Sequence, residues 1–120
     1  MIKSPEHILQ RDIVEKLQDA GILTVGTDVM SGLMLFGKNQ VARMRFINHH
    51  HKMGYVNGQP DLILLLDGGE TLLVELKVNK NKQSSDQEQF EYLAKIRGHN
   101  YVVWRSTQDA DDFIKGYRNI

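Results

Sequence analysis

The chain contains no cysteine, which excludes a disulfide framework and any thiolate metal site. It contains no apolar h-region in its opening MIKSPEH and no window long enough to span a bilayer, so a cytoplasmic, soluble protein with no membrane partner is expected. There is no repeat, low-complexity tract or linker, and 120 residues give one core with no room for a second. Residues 1–120 are therefore read as a single domain.

Net charge is absent too, with 15 basic and 15 acidic side chains, and a neutral molecule is at first sight a poor ligand for nucleic acid. The distribution is uneven, however. No acidic residue lies between Asp28 and Asp61, while Lys38, Arg43, Arg45 and Lys52 fall there with His49, His50 and His51, and Lys77, Lys80 and Lys82 follow. The carboxylates gather instead in the first helix and at Asp109, Asp111 and Asp112. Such segregation makes a positive face that attracts phosphates, with an affinity that falls steeply with salt.

What the chain does have is a dense stretch from Asn57 to Lys82. Asp67-Gly68-Gly69-Glu70 separates the apolar runs Leu62 to Leu66 and Leu72 to Val78, which reads as a β-hairpin with glycines in the turn. Pairing Leu66 with Glu70 and continuing outward brings Asp61 opposite Glu75. Strand alternation puts Leu72, Val74, Leu76 and Val78 on one face, and Leu73, Glu75 and Lys77 on the other.

Two carboxylates converging at the end of an apolar sheet repel each other and lose hydration unless a cation or protons compensate. A set of oxygen ligands without cysteine or paired histidine suits a hard ion, Mg2+ or Mn2+, which keeps several waters and accepts a phosphate. That is phosphodiester chemistry. A bare E-x-K in a strand also reads as solvated surface charge; the Pro-Asp, the hairpin spacing and the following helix favour a site.

Along the rest of the chain, Ser4-Pro5 starts a helix over Pro5 to Ala20 whose stripe is Leu9, Ile13, Leu17 and Ala20. Glu6 continues that stripe toward the sheet, either because it favours the helix N-terminus or because it joins the metal site. Ile22 to Val25 reads as a short strand or an extended segment. Val41 to Ile47 alternates as a strand, with Arg43 and Arg45 on one face, suited to phosphate or to solvent. His49-His50-His51 falls in a loop from Asn48 to Gly58, where a zinc site is not expected. Ser84 with Gln87, or Ser85 with Glu88, caps a helix with Phe90, Leu93, Ala94 and Arg97 inward. Tyr101 to Trp104 reads as an interior strand parallel to Leu72 to Val78, reached by a right-handed crossover. Ser106 with Asp109 caps a last helix carrying Phe113, Ile114 and Tyr117. The expected architecture is an α/β sandwich with a mixed sheet, in the order αβββαβα.

Gly58-Gln59-Pro60-Asp61, thirteen residues, then Glu75-Leu76-Lys77 resembles the PD-(D/E)XK nuclease signature. The G-x-P-D form with a downstream Gln87 is most similar to the VRR-Nuc branch, in its stand-alone phage and bacterial type. The resemblance implies a restriction-endonuclease-like fold and a Mg2+-dependent DNA endonuclease that leaves a 5′-phosphate and a 3′-hydroxyl. It implies Asp61, Glu75 and the Leu76 carbonyl as metal ligands, Glu6 completing the metal site directly or through water, and Lys77 and Gln87 as further catalytic residues, and Arg43, Arg45, Lys52, Lys80 and Lys82 suit the DNA. The expected substrate is branched DNA, foremost a four-way junction in replication, recombination or repair, cut by a homodimer for which Met30 to Phe36 offers an apolar contact. Alternatives are a flap, fork or single-strand nuclease of the same chemistry, or a catalytically silent DNA-binding module.

Overall fold

The computed structural model describes residues 4–118. Ser4 Oγ accepts the His7 N–H (3.2 Å) and Pro5 stands in the first turn of α1, Pro5–Asp19, as the sequence predicts. Next come β1 (Leu23–Gly26), a 3-10 turn (Met30–Phe36), α2 (Gln40–Lys52), β2 (Leu62–Leu65), β3 (Thr71–Leu76), α3 (Ser85–Ile96), β4 (Asn100–Trp104) and α4 (Thr107–Arg118).

The four strands form one sheet in the order β1-β2-β3-β4, antiparallel except for the parallel pair β3 and β4. Leu62 stands opposite Val74 and Leu65 opposite Thr71, and the Leu66 N–H donates to the Glu70 carbonyl at 2.8 Å. This is the expected register, so the ladder continued by one residue sets Asp61 against Glu75.

Leu62, Leu64, Leu72, Val74, Leu76 and Trp104 point to one face and pack with Ile13, Leu17 and Ala110 from α1 and α4. Each such buried aliphatic contributes about 1.5–3 kcal/mol, and this layer fixes the sheet on which the site stands. The other face carries Ile63, Leu73 and Tyr101 and is covered by α3 on the β3 and β4 side alone. Toward β1 it stays open, with Leu23 (62 % exposed), Val25 and Leu65 in solvent.

One element differs from the reading of the sequence. Val41 to Ile47 is not a strand but the first half of α2, and the third antiparallel strand is Leu23–Gly26. The alternation of residues 41–47 is outweighed by the Asn39 cap, whose side chain accepts the Ala42 N–H at 3.1 Å. A helical stripe also turns Ala42, Arg43, Phe46, Ile47 and His50 inward. Arg43 and Arg45, two residues apart on a helix, consequently face opposite ways. The histidines His49, His50 and His51 belong to the last turn of α2 and not to a loop, where basic groups suit the helix C-terminus.

The 3-10 turn and α2 brace each other and pack on little else. Phe36 meets Phe46 at 5.6 Å between centroids, and Phe46 meets His50 at 4.2 Å. The Arg43 guanidinium donates to the carbonyls of Leu33 (3.1 Å) and Gly37 (3.2 Å). Residues 29–54 thus form an arm inserted between two paired strands.

Candidate metal centre

The loop that presents Asp61 is tied at every residue. Gly58 has φ +80°, and a Cβ there would lie 2.6 Å from Gln87 N and closer still to the Asp86 carbonyl, so the loop seats directly on the first turn of α3. Gln59 Nε2 donates to the Thr27 carbonyl (3.0 Å) while its Oε1 accepts the Val56 N–H (3.2 Å). Pro60 is fully buried, the Thr27 hydroxyl donates to its carbonyl, and the Thr27 N–H donates to the Asp61 carbonyl at 3.0 Å. Gly58→Ala combines a left-handed backbone with a steric clash. It is expected to destabilise the fold by about 3 kcal/mol or more, read as a lowered midpoint in urea.

Asp61 Oδ2 accepts the Leu76 N–H at 2.7 Å, which clamps the start of β2 to the end of β3. Glu75 lies beside it, 1 % exposed, and neither of its carboxylate oxygens has a hydrogen-bond partner among the described residues. Glu6, from the first turn of α1, completes the group: carboxylate oxygens of Glu6, Asp61 and Glu75 all lie within 4.8 Å of one another. The helix stripe and the hairpin register, read separately in the sequence, converge here.

The electrostatics follow. Burial pushes the Glu75 carboxyl up to about 9, with Asp61 adding to the rise and Lys77 opposing it. Burial and Asp61 raise Glu6 as well, and Lys77 opposes that rise too. Lys77 is half-buried, and its charge bears on both glutamates. A buried carboxylate without a donor, facing two others, is unstable as an anion; a hard cation held by oxygen ligands resolves the deficit, so the residues fit Mg2+ or Mn2+.

The remaining expected residues lie around this centre or beyond it. Leu76, whose carbonyl was the expected backbone ligand, has its N–H on Asp61. Gln87 stands in the first turn of α3, but its Oε1 accepts the Ser84 N–H (2.9 Å) and its N–H donates to Ser84 Oγ (3.2 Å), so its side-chain carbonyl is engaged in the capping box. Lys80 and Lys82 are exposed on the connection after β3, which Arg105 holds by donating to the Asn81 carbonyl at 2.6 Å. Arg45 and Lys52 are exposed on α2, while Arg43 is turned inward to the backbone carbonyls.

Three residues near the centre have no counterpart in the reading of the sequence. Burial pushes the Tyr55 hydroxyl up, and the charges of Asp28, Asp61, Glu75 and Asp86 add to it. Thr27 anchors the Asp61 loop, as above. Asp28 pairs with His7 Nε2 at 3.5 Å, next to Glu6. A lone tyrosine and threonine in loops carry no spacing signal; only the position of Asp28, last acid before the basic stretch, marks it.

No family model matches the chain, and no curated protein matches it. A solved structure described as a VRR_NUC domain does align with it, over 96 % of this chain and 99 % of that one, at 22 % identity and a TM-score of 0.66. Nearly end to end, this chain has the fold of a VRR_NUC domain.

Proposed function

We propose that this chain is a VRR-Nuc nuclease of the PD-(D/E)XK type: a cytoplasmic, Mg2+- or Mn2+-dependent endodeoxyribonuclease that hydrolyses phosphodiester bonds in branched DNA. The observation that carries the reading is the buried, unpartnered Glu75 carboxylate with Asp61 and Glu6 around it, on the fold of a VRR_NUC domain.

Glu75, Asp61 and Glu6 hold the ion, with the Leu76 carbonyl at the end of the same strand. The bound ion supplies Lewis acidity to the phosphate and to the attacking water. Asp61 is oriented for this by the Leu76 N–H, and Lys77 orients the water or offsets charge that develops on the phosphate. Lys80 and Lys82, beyond the strand end, meet the DNA backbone electrostatically. Lys77→Ala is expected to lower the single-turnover cleavage rate by about 100-fold without preventing metal binding. An unchanged rate would return Lys77 to a solvated charge.

Junction cleavage needs two nicks related by symmetry, which a two-fold dimer supplies by presenting one site twice. The open sheet face with Leu23, Val25 and Leu65 exposed supports a contact between copies, as do Met34 and Leu35 in the segment expected to serve that role. The test is a panel of labelled linear, forked, flapped and four-way DNAs with Mg2+, with Mn2+ and with chelator, alongside light scattering. Metal-dependent, paired nicking of the four-way DNA by a dimer is the expected result. A monomer at micromolar concentration that cuts linear duplex equally well would remove the junction and dimer claims and leave the nuclease.

A further inference from the structure

Helix α2 has two faces of opposite character. Ala42, Arg43, Phe46, Ile47 and His50 are turned toward the 3-10 turn. Val41 (62 % exposed), Met44 (52 %), Arg45, Asn48, His49 and Lys52 recur at helical spacing on the outside. Among the described residues, the 3-10 turn is the main packing partner of α2, and it lies on the other face. An exposed helix ordinarily stabilises itself with acid–base pairs three or four residues apart, and α2 contains no acid at all. Arg45, Asn48 and Lys52 make no hydrogen bond or ion pair among the described residues. The face is finished in shape and unfinished in partners.

Charge selects the partner. No acid lies between Asp28 and Asp61, so two copies of the outer face of α2 brought together would oppose like charges, whereas a polyanion complements Arg45 and Lys52 and leaves the apolar 3-10 turn free for a contact between copies. The shape is that of a rod about 10–12 Å across, which the roughly 12 Å major groove of B-form DNA admits. The side chains are the ones that read base edges there: arginine to guanine, asparagine to adenine, with lysine left for phosphate.

We infer that α2 is a DNA-reading helix that enters the major groove of a duplex arm of the substrate, with Arg45 and Asn48 on base edges and Lys52 on the backbone. The inference rests on the nuclease reading for the identity of its partner. The arm is rooted beside the centre at both ends: Asp28, just before it, pairs with His7 next to Glu6, and the loop that carries Asp61 follows it and seats on α3. Since α2 spans about 20 Å, the pairs it contacts fall within roughly six base pairs of the scissile phosphate.

The full chain carrying Glu75→Gln, to suppress cleavage, is titrated with a fluorescent duplex and a four-way DNA at several salt concentrations. Arg45→Glu, added to it, is expected to weaken binding at least tenfold, and Lys52→Ala to reduce the slope of log affinity against log salt by about one. Methylation of guanine N7 close to the cut is expected to interfere with binding, whereas Lys115→Glu on α4 changes affinity by less than about twofold. Arg45, Lys52 and Lys115 are exposed, and circular dichroism confirms the fold of each variant. Binding by Arg45→Glu equal to its parent, indifference to N7 methylation, or a change of oligomeric state in Arg45→Glu would each overturn the assignment. If the chain with Glu75 intact still cuts DNA, only the role of α2 falls; a chain that neither binds nor cuts DNA with either metal takes the nuclease reading down with it.

Discussion

Glu75→Gln is expected to lower metal-dependent DNA cleavage by about 1,000-fold or more, the upper end of what removal of one preorganised charge costs. The exchange keeps the volume of a side chain that is 1 % exposed and removes the negative charge that distinguishes a metal ligand from a packing residue. Glutamine also carries an N–H2 donor, which takes the place of the proton that the parent's buried carboxyl directs at Asp61. It is therefore expected to fold without metal, and melting of the variant separates inactivity from unfolding. Asp61→Asn tests the same ion from the other strand, since an amide oxygen still accepts the Leu76 N–H. Single-turnover cleavage with Mg2+, beside calorimetric melting without it, decides the matter: undiminished cleavage in either variant would remove the metal assignment.

The second large effect is on stability against pH. In the folded chain Glu75 keeps its proton up to about 9, against an ordinary value of 4.5, so above pH 4.5 the unfolded state releases a proton that the folded state retains. Stability in chelator is therefore highest near and below that value, as far as this group is concerned. It falls as pH rises toward 9, by up to about 1.4 kcal/mol for each unit crossed. A divalent ion takes the place of the proton and binds better as pH rises. Added Mg2+ is accordingly expected to raise Tm more at about pH 8 than at about pH 6, and Glu75→Gln to flatten the slope in chelator. A parent Tm independent of pH across that window, with chelator present, would show that Glu75 is hydrated and not the trapped carboxylate described above.

The centre was legible in the sequence because hairpin pairing is arithmetic. Once Leu66 meets Glu70, Asp61 must meet Glu75, and the apolar neighbours on both strands exclude a slip of one residue, which would turn the buried face to solvent. Glu6 was legible through the helical period and the Ser4-Pro5 start. The arm was not. Val41, Arg43, Arg45 and Ile47 satisfy a period of two as well as Ala42, Phe46, Ile47 and His50 satisfy one of 3.6, and over seven residues the two patterns compete. Asn39 before Gln40 was the available sign of a helix start. Tyr55 and Thr27 were beyond reach for a different reason: they join the site through loops, where proximity follows from tertiary closure and leaves no trace in spacing.

The way β1 and β2 pair separates the arm from the metal centre. Gly26 faces Leu62 and Leu23 faces Leu65, so the two strand ends are held together by their own ladder, whatever the chain does between them. Closing a loop of twice the length adds only about 0.6 kcal/mol, and α2 has its main packing with the 3-10 turn inside the same arm. The segment can thus be lengthened, shortened or exchanged with little charge to the core, whereas Gly58 and Asp61, locked between α3 and β3, admit no comparable change. Variation between chains built on this plan has a place to accumulate that leaves the core and the three carboxylates untouched, a removable head on a fixed handle.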